Sequence, residues 1–293
     1  MSIEMNDTPI TTRGDTESRK CKCDDSEGDW TVVSRRRKQR RNFFPKIGTI
    51  EQQPWIPTKS DADHEMESKL MQKMQACIQK LENSDFFHTL LQQMEASEVH
   101  DRISTVLASE SKMPMVIYGI GSIESYEPPR LQLSLAILLK RKFDWVGGIE
   151  VFDPVISSTE SKILEALGCS VLSENEQGRR VALKPTMFYM PHCEVVLYDN
   201  LVQANWKAEH LNQMVVFGNS FRSYENYISV SMNSTLSESM KHVLTVLNFS
   251  TEVKVETVSD DYFKAFHDSS WHYFNVISDM ELELESPKVL EEN

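Results

Sequence analysis

The 293-residue chain has few cysteines, no long apolar run and none of the short motifs that mark common metal sites. Its five cysteines are an odd, scattered set, which argues against a disulfide framework and indicates a reducing compartment, cytosol or nucleus. No segment approaches the roughly 20 apolar residues that span a bilayer, so we expect no membrane partner. The polar, acidic first 30 residues lack the apolar core of a secretory signal. Without a Cys-x-x-Cys pair or a His-Glu-x-x-His sequence, we expect no metal site.

Acidic side chains outnumber basic ones, and the net charge of −13 makes most of the chain a poor binder of nucleic acid. One segment departs from this balance. Six of the seven positions from 35 to 41 are basic, namely Arg35, Arg36, Arg37, Lys38, Arg40 and Arg41. This basic cluster is typical of a nuclear-import signal, and an inert solvated tail or a nucleic-acid arm are the alternatives. The acidic remainder of the chain makes the nucleic-acid arm the least favoured of the three.

The pattern along the chain divides it into three parts. Residues 1–60 show no sustained apolar period and are predicted to be a disordered arm. Residues 61–280 are predicted to form a single α/β domain with an N-terminal helical extension, because apolar residues recur at helical spacing from 61 to about 109. Residues 281–293 are predicted to be a loose acidic tail.

The central region alternates short apolar runs with amphipathic segments. Strands are predicted at "PMVIYG", "GGIEVFDP", "CSVL", "EVVLYDN" and "MVVFGNS", with helices between them. One of these helices begins at "SSTE", which has the spacing of a capping box. "STEVKVETV" is predicted to be an edge strand, and "AFHDSSWHYF" a last strand. This order predicts an open, mostly parallel, Rossmann-like sheet with helices on both faces.

In an open parallel sheet, ligands bind beyond the carboxyl ends of the strands, so the residues that leave the predicted strands there are candidates for a binding crevice. They are Gly119, Gly121, Ser122, Asp153, Asp199, Asn200, Asn219 and Ser220. Asn, Asp and Ser also end strands simply because they make turns, so a structural role is the alternative for each of them.

The loop "GIGS" after the first strand allows close approach of a ligand to the backbone, but it does not resemble a phosphate site. It lacks the third glycine of the dinucleotide fingerprint and the lysine of a P-loop, and Glu124 and Glu127 lie nearby. The open alternatives are a structural turn and a site for a ligand without phosphate, such as S-adenosylmethionine or a small polar metabolite. In the second case, Asp153 would accept hydrogen bonds from ribose hydroxyls.

The segment from Met190 to Cys193 places a histidine beside a cysteine, which suggests a nucleophilic pair. Adjacent side chains diverge in an extended chain, and this segment precedes the predicted fourth strand, at the edge opposite the crevice. A structural role for His192 and Cys193 is therefore favoured, although the role of Met190–Cys193 stays open.

Several longer segments together resemble the Sensitivity to Red Light Reduced family of plants. They are "VIYGIGSIES", "FDPVISSTESKILEALGCSVL", "FYMPHCEVVLYDNLVQANW" and "VVFGNSFRSYE", with weaker similarity in "AFHDSSWHYF" and "DWTVVSRRRKQRR". The resemblance implies a regulatory protein of phytochrome B red-light signalling, the circadian clock and flowering time, found in nucleus and cytoplasm. No catalytic activity comes with the family, so it implies neither catalytic residues nor a cofactor.

Two functions follow as hypotheses. The first is a nucleocytoplasmic regulator of light and clock signalling that acts through protein partners. The second is an enzyme or sensor that binds a small molecule, such as S-adenosylmethionine, in the crevice.

Overall fold

The computed structural model of this chain describes residues 64–231, 239–256, 260–279 and 282, which belong to one compact unit. The predicted disordered arm, its basic cluster and nearly all of the acidic tail lie outside these residues. Within them, every helix is too short or too polar to cross a membrane.

Three helices precede the sheet, as the spacing of apolar residues predicts. They are α1 (His64–Glu82), α2 (Asp85–Glu95) and α3 (Ser97–Leu107). α1 buries Leu70, Met74 and Ile78 on one face and packs against the helix that follows the first strand. Ser84 caps α2, since its hydroxyl accepts a hydrogen bond from the Phe87 amide at 3.1 Å. The helical extension therefore packs on the domain.

Seven strands form one sheet in the order β3-β2-β1-β4-β5-β7-β6. They are β1 (Met113–Tyr118), β2 (Val146–Phe152), β3 (Cys169–Val171), β4 (Thr186–Met190), β5 (Met214–Asn219), β6 (Ser250–Lys254) and β7 (Ser269–Phe274). The first five pair in parallel, and β7 runs antiparallel between β5 and β6. The predicted open, mostly parallel fold is confirmed, and its topological switch point lies between β1 and β4.

Helices cover both faces of the sheet. One face carries α1 to α3 together with α4 (Glu127–Lys142), α5 (Ser158–Ala166) and α10 (Phe263–Phe266), and the other carries α6 (Val195–Ala204), α7 (Ala208–Leu211), α8 (Phe221–Ser231) and α9 (Lys241–Val246). In β1, Met115 and Ile117 point into the first layer, and Val116 and Tyr118 into the second. This is the alternation that a strand buried on both faces requires.

Local signals fix the helices on either side of β2. α4 is buried continuously from Leu131 to Leu139, which suits a helix that is apolar nearly all round. The capping box of α5 is present: the Glu160 amide donates to Ser157 Oγ at 3.1 Å, and the Ser157 amide donates to Glu160 Oε2 at 2.7 Å. Gly168, with φ of 82°, follows the end of α5 and leads into β3.

The prediction of a strand at "EVVLYDN" is wrong, because this segment begins α6. Its buried residues, Tyr198, Leu201 and Val202, follow the three-and-four spacing of a helix, whereas the apolar run at its start also suits a strand. The fourth strand is instead the preceding segment Thr186–Met190, which is completely buried. The edge strand β6 and the last strand β7 are where the sequence places them.

Candidate functional site

The glycine loop after β1 is held by the residue that follows β2. Gly119 and Gly121 both have left-handed backbones, with φ of 67° and 74°. The Gly121 amide donates to Asp153 Oδ2 at 2.8 Å, and the Val155 amide donates to Asp153 Oδ1 at 3.0 Å. The structure thus brings Gly121 and Asp153 together, but both carboxylate oxygens already accept hydrogen bonds from the backbone. The expected bonds from Asp153 to a ribose stay a prediction.

Ser122 is tied to α5 by Glu160, a buried carboxylate that the sequence marks only as part of a capping box. Ser122 Oγ donates to Glu160 Oε1 at 2.7 Å, and the Glu124 amide donates to the same oxygen at 2.9 Å. Glu160 is 1% exposed, and its other oxygen caps α5. This one side chain therefore fixes the glycine loop and the start of a helix at the same time.

Asp199 and Asn200 do not lie at a strand end, because the segment that carries them is helical. Asp199 is buried and caps α9: its Oδ1 accepts from the amides of His242 at 2.7 Å and Val243 at 3.1 Å. Its Oδ2 lies 2.9 Å from Nδ1 of the His242 ring. Asn200 donates to the Gln177 carbonyl at 2.9 Å. Asp199 and Asn200 therefore do not belong to the rim of strand-end groups that the sequence predicts.

His192 and Cys193 follow β4 and lie at the carboxyl edge, so their predicted place at the opposite edge is wrong. Cys193 Sγ donates to the Tyr118 carbonyl at 3.2 Å, directly beside Gly119. Burial raises the pKa of the Cys193 thiol, and the carboxylates of Asp153 and Glu194 raise it further. A thiol held protonated in this way is a poor nucleophile, which favours the structural reading of the pair.

Asn219, at the end of β5, joins the segment that follows β4 to the start of α8. Its Oδ1 accepts from the His192 amide at 2.9 Å, and its Nδ2 donates to the Cys193 carbonyl at 3.2 Å and to Tyr224 Oη at 2.8 Å. The side-chain oxygen of Ser220 accepts from the Ser223 amide at 3.2 Å, at the start of α8. Both residues lie where the sequence predicts, and both bind protein groups.

A buried pair that the sequence analysis missed lies directly behind Asn219. His272 on β7 is fully buried; its Nε2 donates to the Asn219 carbonyl at 3.0 Å, and its Nδ1 lies 4.0 Å from Glu252 Oε2 on β6. Burial lowers the pKa of His272 to about 4, although Glu252 opposes the shift. Burial opposes ionisation of Glu252, but His272 and hydrogen bonds from Ser220 and Ser270 outweigh it and keep the pKa of Glu252 below its ordinary value.

This pair predicts a specific loss of stability in acid. Unfolded His272 has the ordinary pKa and binds a proton at higher pH than folded His272, so its contribution is complete near neutrality and is lost as pH falls towards 4. The low pKa of Glu252 acts in the same direction. We expect the free energy of unfolding to fall by about 2 kcal/mol through His272 alone between about pH 7.5 and pH 5, measured by urea titration at each pH.

The matched control for this prediction is His272→Gln, which keeps a side-chain amide beside Asn219 and does not titrate. Between the same two pH values, the free energy of unfolding of this variant is expected to fall less than that of the unaltered chain. The difference should equal the part assigned to His272. Parallel pH profiles for the two proteins would show that His272 does not carry the effect.

The carboxyl edge holds separate spaces: one of about 570 Å³ adjoins Cys193, Glu194 and Tyr224, and a small one lies beside the glycine loop. A cavity of about 150 Å³ lies between the ends of β1 and β2 and the loop before β4, with Tyr118, Phe152 and Gln177 in its wall. This is below the roughly 300–1,000 Å³ typical of small-molecule sites. Tyr118 Oη donates to Glu176 and helps to hold the loop before β4. The cavity does not add support for a ligand as large as S-adenosylmethionine, and that alternative stays a prediction.

The polar groups at this edge are also not arranged as a metal centre. Among the residues that the structure describes, no group of three or more His, Cys, Asp or Glu side chains could hold a metal ion.

A further space of about 290 Å³ adjoins His192, Asn219, His267 and Asp268. Burial lowers the pKa of His192, and the hydrogen bond to the His267 carbonyl only partly opposes this shift. The arrangement favours a neutral imidazole that holds the backbone in place.

Comparison with known proteins gives consistent matches along the chain. The SRR1 domain model matches residues 77–273. The Arabidopsis thaliana protein called SENSITIVITY TO RED LIGHT REDUCED 1 is 51% identical over 264 residues, which are 88% of this chain and 95% of the relative. An SRR1-like protein of Mus musculus is 42% identical over 125 residues, which are 40% of this chain and 48% of that protein. Among solved structures, a putative O-methyltransferase from Klebsiella pneumoniae aligns with a TM-score of 0.37 at 8% identity, covering 74% of this chain and 92% of the other.

Proposed function

Because the chain belongs to the SRR1 domain family, we propose that it is a regulatory protein required for normal red-light responses and normal circadian timing, including phytochrome B signalling and flowering. It acts through protein partners, in both nucleus and cytoplasm. The observation that carries this proposal is the match to the Arabidopsis protein along nearly the whole of both chains. A match of this extent includes surfaces as well as core, so it supports a shared role more strongly than a shared fold does.

The geometry of the carboxyl edge is consistent with action through partners. The side chains expected to line a crevice bind one another and the backbone: Asp153 holds the glycine loop, Asp199 caps a helix, and Asn219 joins two loops. Side chains whose hydrogen bonds are all made within the protein stabilise a rigid scaffold. On a rigid scaffold, recognition is left to surfaces and to flanking segments.

The proposed nuclear location rests on the basic cluster at residues 35–41, which lies outside the described residues. Six cations in a short segment of an otherwise acidic chain suit the acidic groove of an import receptor. A nucleic-acid contact would need the same charges, but the net charge of −13 opposes it.

The proposal predicts that red-light function and nuclear accumulation depend on the charge of the basic cluster. In plants whose own SRR1-domain protein has been removed, the full chain is expected to restore growth responses under red light and the period of clock-controlled rhythms. Changing Arg35, Arg36, Arg37, Lys38, Arg40 and Arg41 to alanine is expected to lower the nuclear fraction several-fold and to weaken the rescue. The fraction is measured with a fluorescent fusion.

The matched control replaces the five arginines with lysine and so keeps every charge. This variant is expected to accumulate in the nucleus like the unaltered chain. Failure of the unaltered chain to restore the red-light response would contradict the regulatory proposal, while unchanged nuclear accumulation of the alanine variant would contradict the import role alone.

A further inference from the structure

The larger space at the carboxyl edge is a groove between the start of α6, α8 and the residues before α9, and we call it the α6–α8 groove. Its volume of about 570 Å³ falls within the roughly 300–1,000 Å³ of typical small-molecule sites. Cys193 follows β4, and α8 follows β5, so the groove lies beyond the carboxyl ends of two parallel strands, where open sheets bind ligands. Its wall includes Glu194, Val195, Val196, Tyr224, Tyr227 and Met240. None of the residues predicted to form the crevice lines this groove.

The apolar part of the wall is accessible to a ligand. Val196 and Tyr227 are 46% and 59% exposed, respectively. Tyr224 and Tyr227 lie three residues apart on α8, so their side chains are neighbours on one face of the helix. Met240 adds a polarisable thioether, which makes favourable contacts with aromatic groups. These side chains form a concave, largely apolar surface that suits the apolar body of a ligand.

The charge of the wall restricts what such a ligand can carry. Glu194 is exposed and is the one charged side chain among the described residues that line the groove. Its carboxylate makes no hydrogen bond or ion pair with any residue that the structure describes. After burial and Asp153, Glu194 also raises the pKa of the Cys193 thiol, so the field of its carboxylate extends to the inner end of the groove. The carboxylate and the electron-rich faces of the tyrosine rings repel an anion and attract a cation.

The apolar surroundings also restrict the kind of cation. A bare ammonium group is strongly hydrated, so transferring it from water to an apolar wall costs free energy. Methyl groups in place of its hydrogens lower this cost and contact aromatic rings directly, and proteins recognise quaternary ammonium ligands in this way. A quaternary ammonium group therefore suits the combination of two tyrosines and one carboxylate better than a primary amine does.

We propose that the α6–α8 groove binds a small organic cation that has a quaternary ammonium group and an apolar body. The ammonium group lies against the rings of Tyr224 and Tyr227 and beside the Glu194 carboxylate, and the apolar body covers Val196 and Met240. The site does not depend on the proposed role in red-light signalling. It gives the domain a way to respond to the concentration of a small molecule.

The test is a titration of the full chain with three compounds that share a benzyl group and differ in charge. Benzyltrimethylammonium is positive, benzyl alcohol is neutral and phenylacetate is negative. At constant ionic strength, the NMR signal of the Met240 methyl group, assigned with Met240→Leu, reports occupancy of the groove. We expect benzyltrimethylammonium to bind about tenfold more tightly than either other compound, because only it gains the cation–π and carboxylate interactions. Equal binding of the three compounds, or a Met240 signal that benzyltrimethylammonium leaves unchanged, overturns the proposal.

Variants at exposed positions show whether binding depends on the groove. Tyr227→Ala is expected to weaken binding of benzyltrimethylammonium about fivefold, whereas Tyr227→Phe keeps the ring and should stay within about twofold of the unaltered chain. Glu194→Gln is expected to weaken binding of the same cation about fivefold and to leave binding of benzyl alcohol unchanged. The matched control is Tyr126→Ala, since Tyr126 is 65% exposed and does not line the groove. The proposal is wrong if Tyr227→Ala or Glu194→Gln binds the cation as tightly as the unaltered chain, or if Tyr126→Ala weakens binding as much as they do.

Discussion

Replacing Gly119 with alanine is expected to lower the free energy of unfolding by about 3 kcal/mol. The backbone at Gly119 is left-handed, with φ of 67°, a conformation that costs an alanine about 1–2 kcal/mol. In addition, a Cβ atom at this position would lie 2.5 Å from Cys193 Sγ, well inside van der Waals contact. Cys193 is buried and its thiol donates a hydrogen bond to the Tyr118 carbonyl, so a change of its rotamer would break this bond. Urea denaturation of the two proteins measures the difference.

Gly168 supplies the matched control, because it shares the backbone conformation of Gly119 but not its surroundings. Its φ is 82°, and a Cβ atom there would have no neighbour within 4 Å. Gly168→Ala should therefore cost only the backbone part, about 1 kcal/mol. Adding Cys193→Ala to Gly119→Ala should recover part of the loss, which a double-mutant cycle detects. If Gly119→Ala and Gly168→Ala are equally destabilising, the contact with Cys193 has no energetic weight.

Much of the fold was predictable from local patterns. The short apolar runs at β1, β2 and β5 are bounded by Gly, Pro or Asn. Prolines mark the first turn of α4 and a capping box marks the start of α5, so the order of these elements follows directly. The capping box at Ser157 and Glu160 predicted the start of α5 correctly. In these elements the local signals and the tertiary packing agree.

The segment that follows β4 was misread because its local pattern is ambiguous. Three apolar residues in succession, Val195 to Leu197, suit either a buried strand or one turn of a helix. The decision depends on contacts that lie far away in the chain, such as the α9 amides that bind Asp199. Because of this one error, Asp199 and Asn200 were predicted to lie at the crevice. For the same reason His192 and Cys193 were predicted to lie at the opposite edge.

The candidate site shows the same division between local and distant information. Gly121 and Asp153 follow neighbouring parallel strands, so their approach could be predicted from strand order alone. The second role of Glu160 and the pairing of His272 with Glu252 could not, because each depends on which side chains meet across the assembled structure. An acidic residue on an edge strand is usually solvated, and nothing near Glu252 in the sequence shows that it is buried beside a histidine.

Asp199→Ala is expected to be as destabilising as the change at Gly119, again by about 3 kcal/mol. Asp199 is 8% exposed, and its carboxylate accepts hydrogen bonds from two backbone amides at the start of α9. The carboxylate also lies within hydrogen-bonding distance of the His242 ring. Alanine would leave these donors without a partner inside the protein, where water cannot replace the lost bonds. The loss should appear as a lower urea midpoint with an unchanged slope.

Asn200→Ala is the control for this prediction, because the neighbouring side chain makes one exposed hydrogen bond, to the Gln177 carbonyl. Its expected cost is about 0.5–1 kcal/mol. The two positions also separate the possible roles of the segment. If Asp199 served a ligand at the rim of a crevice, its removal would leave stability nearly unchanged, whereas a helix cap that joins α6 to α9 makes folding itself depend on it. Equal and small effects at the two positions would contradict the capping role.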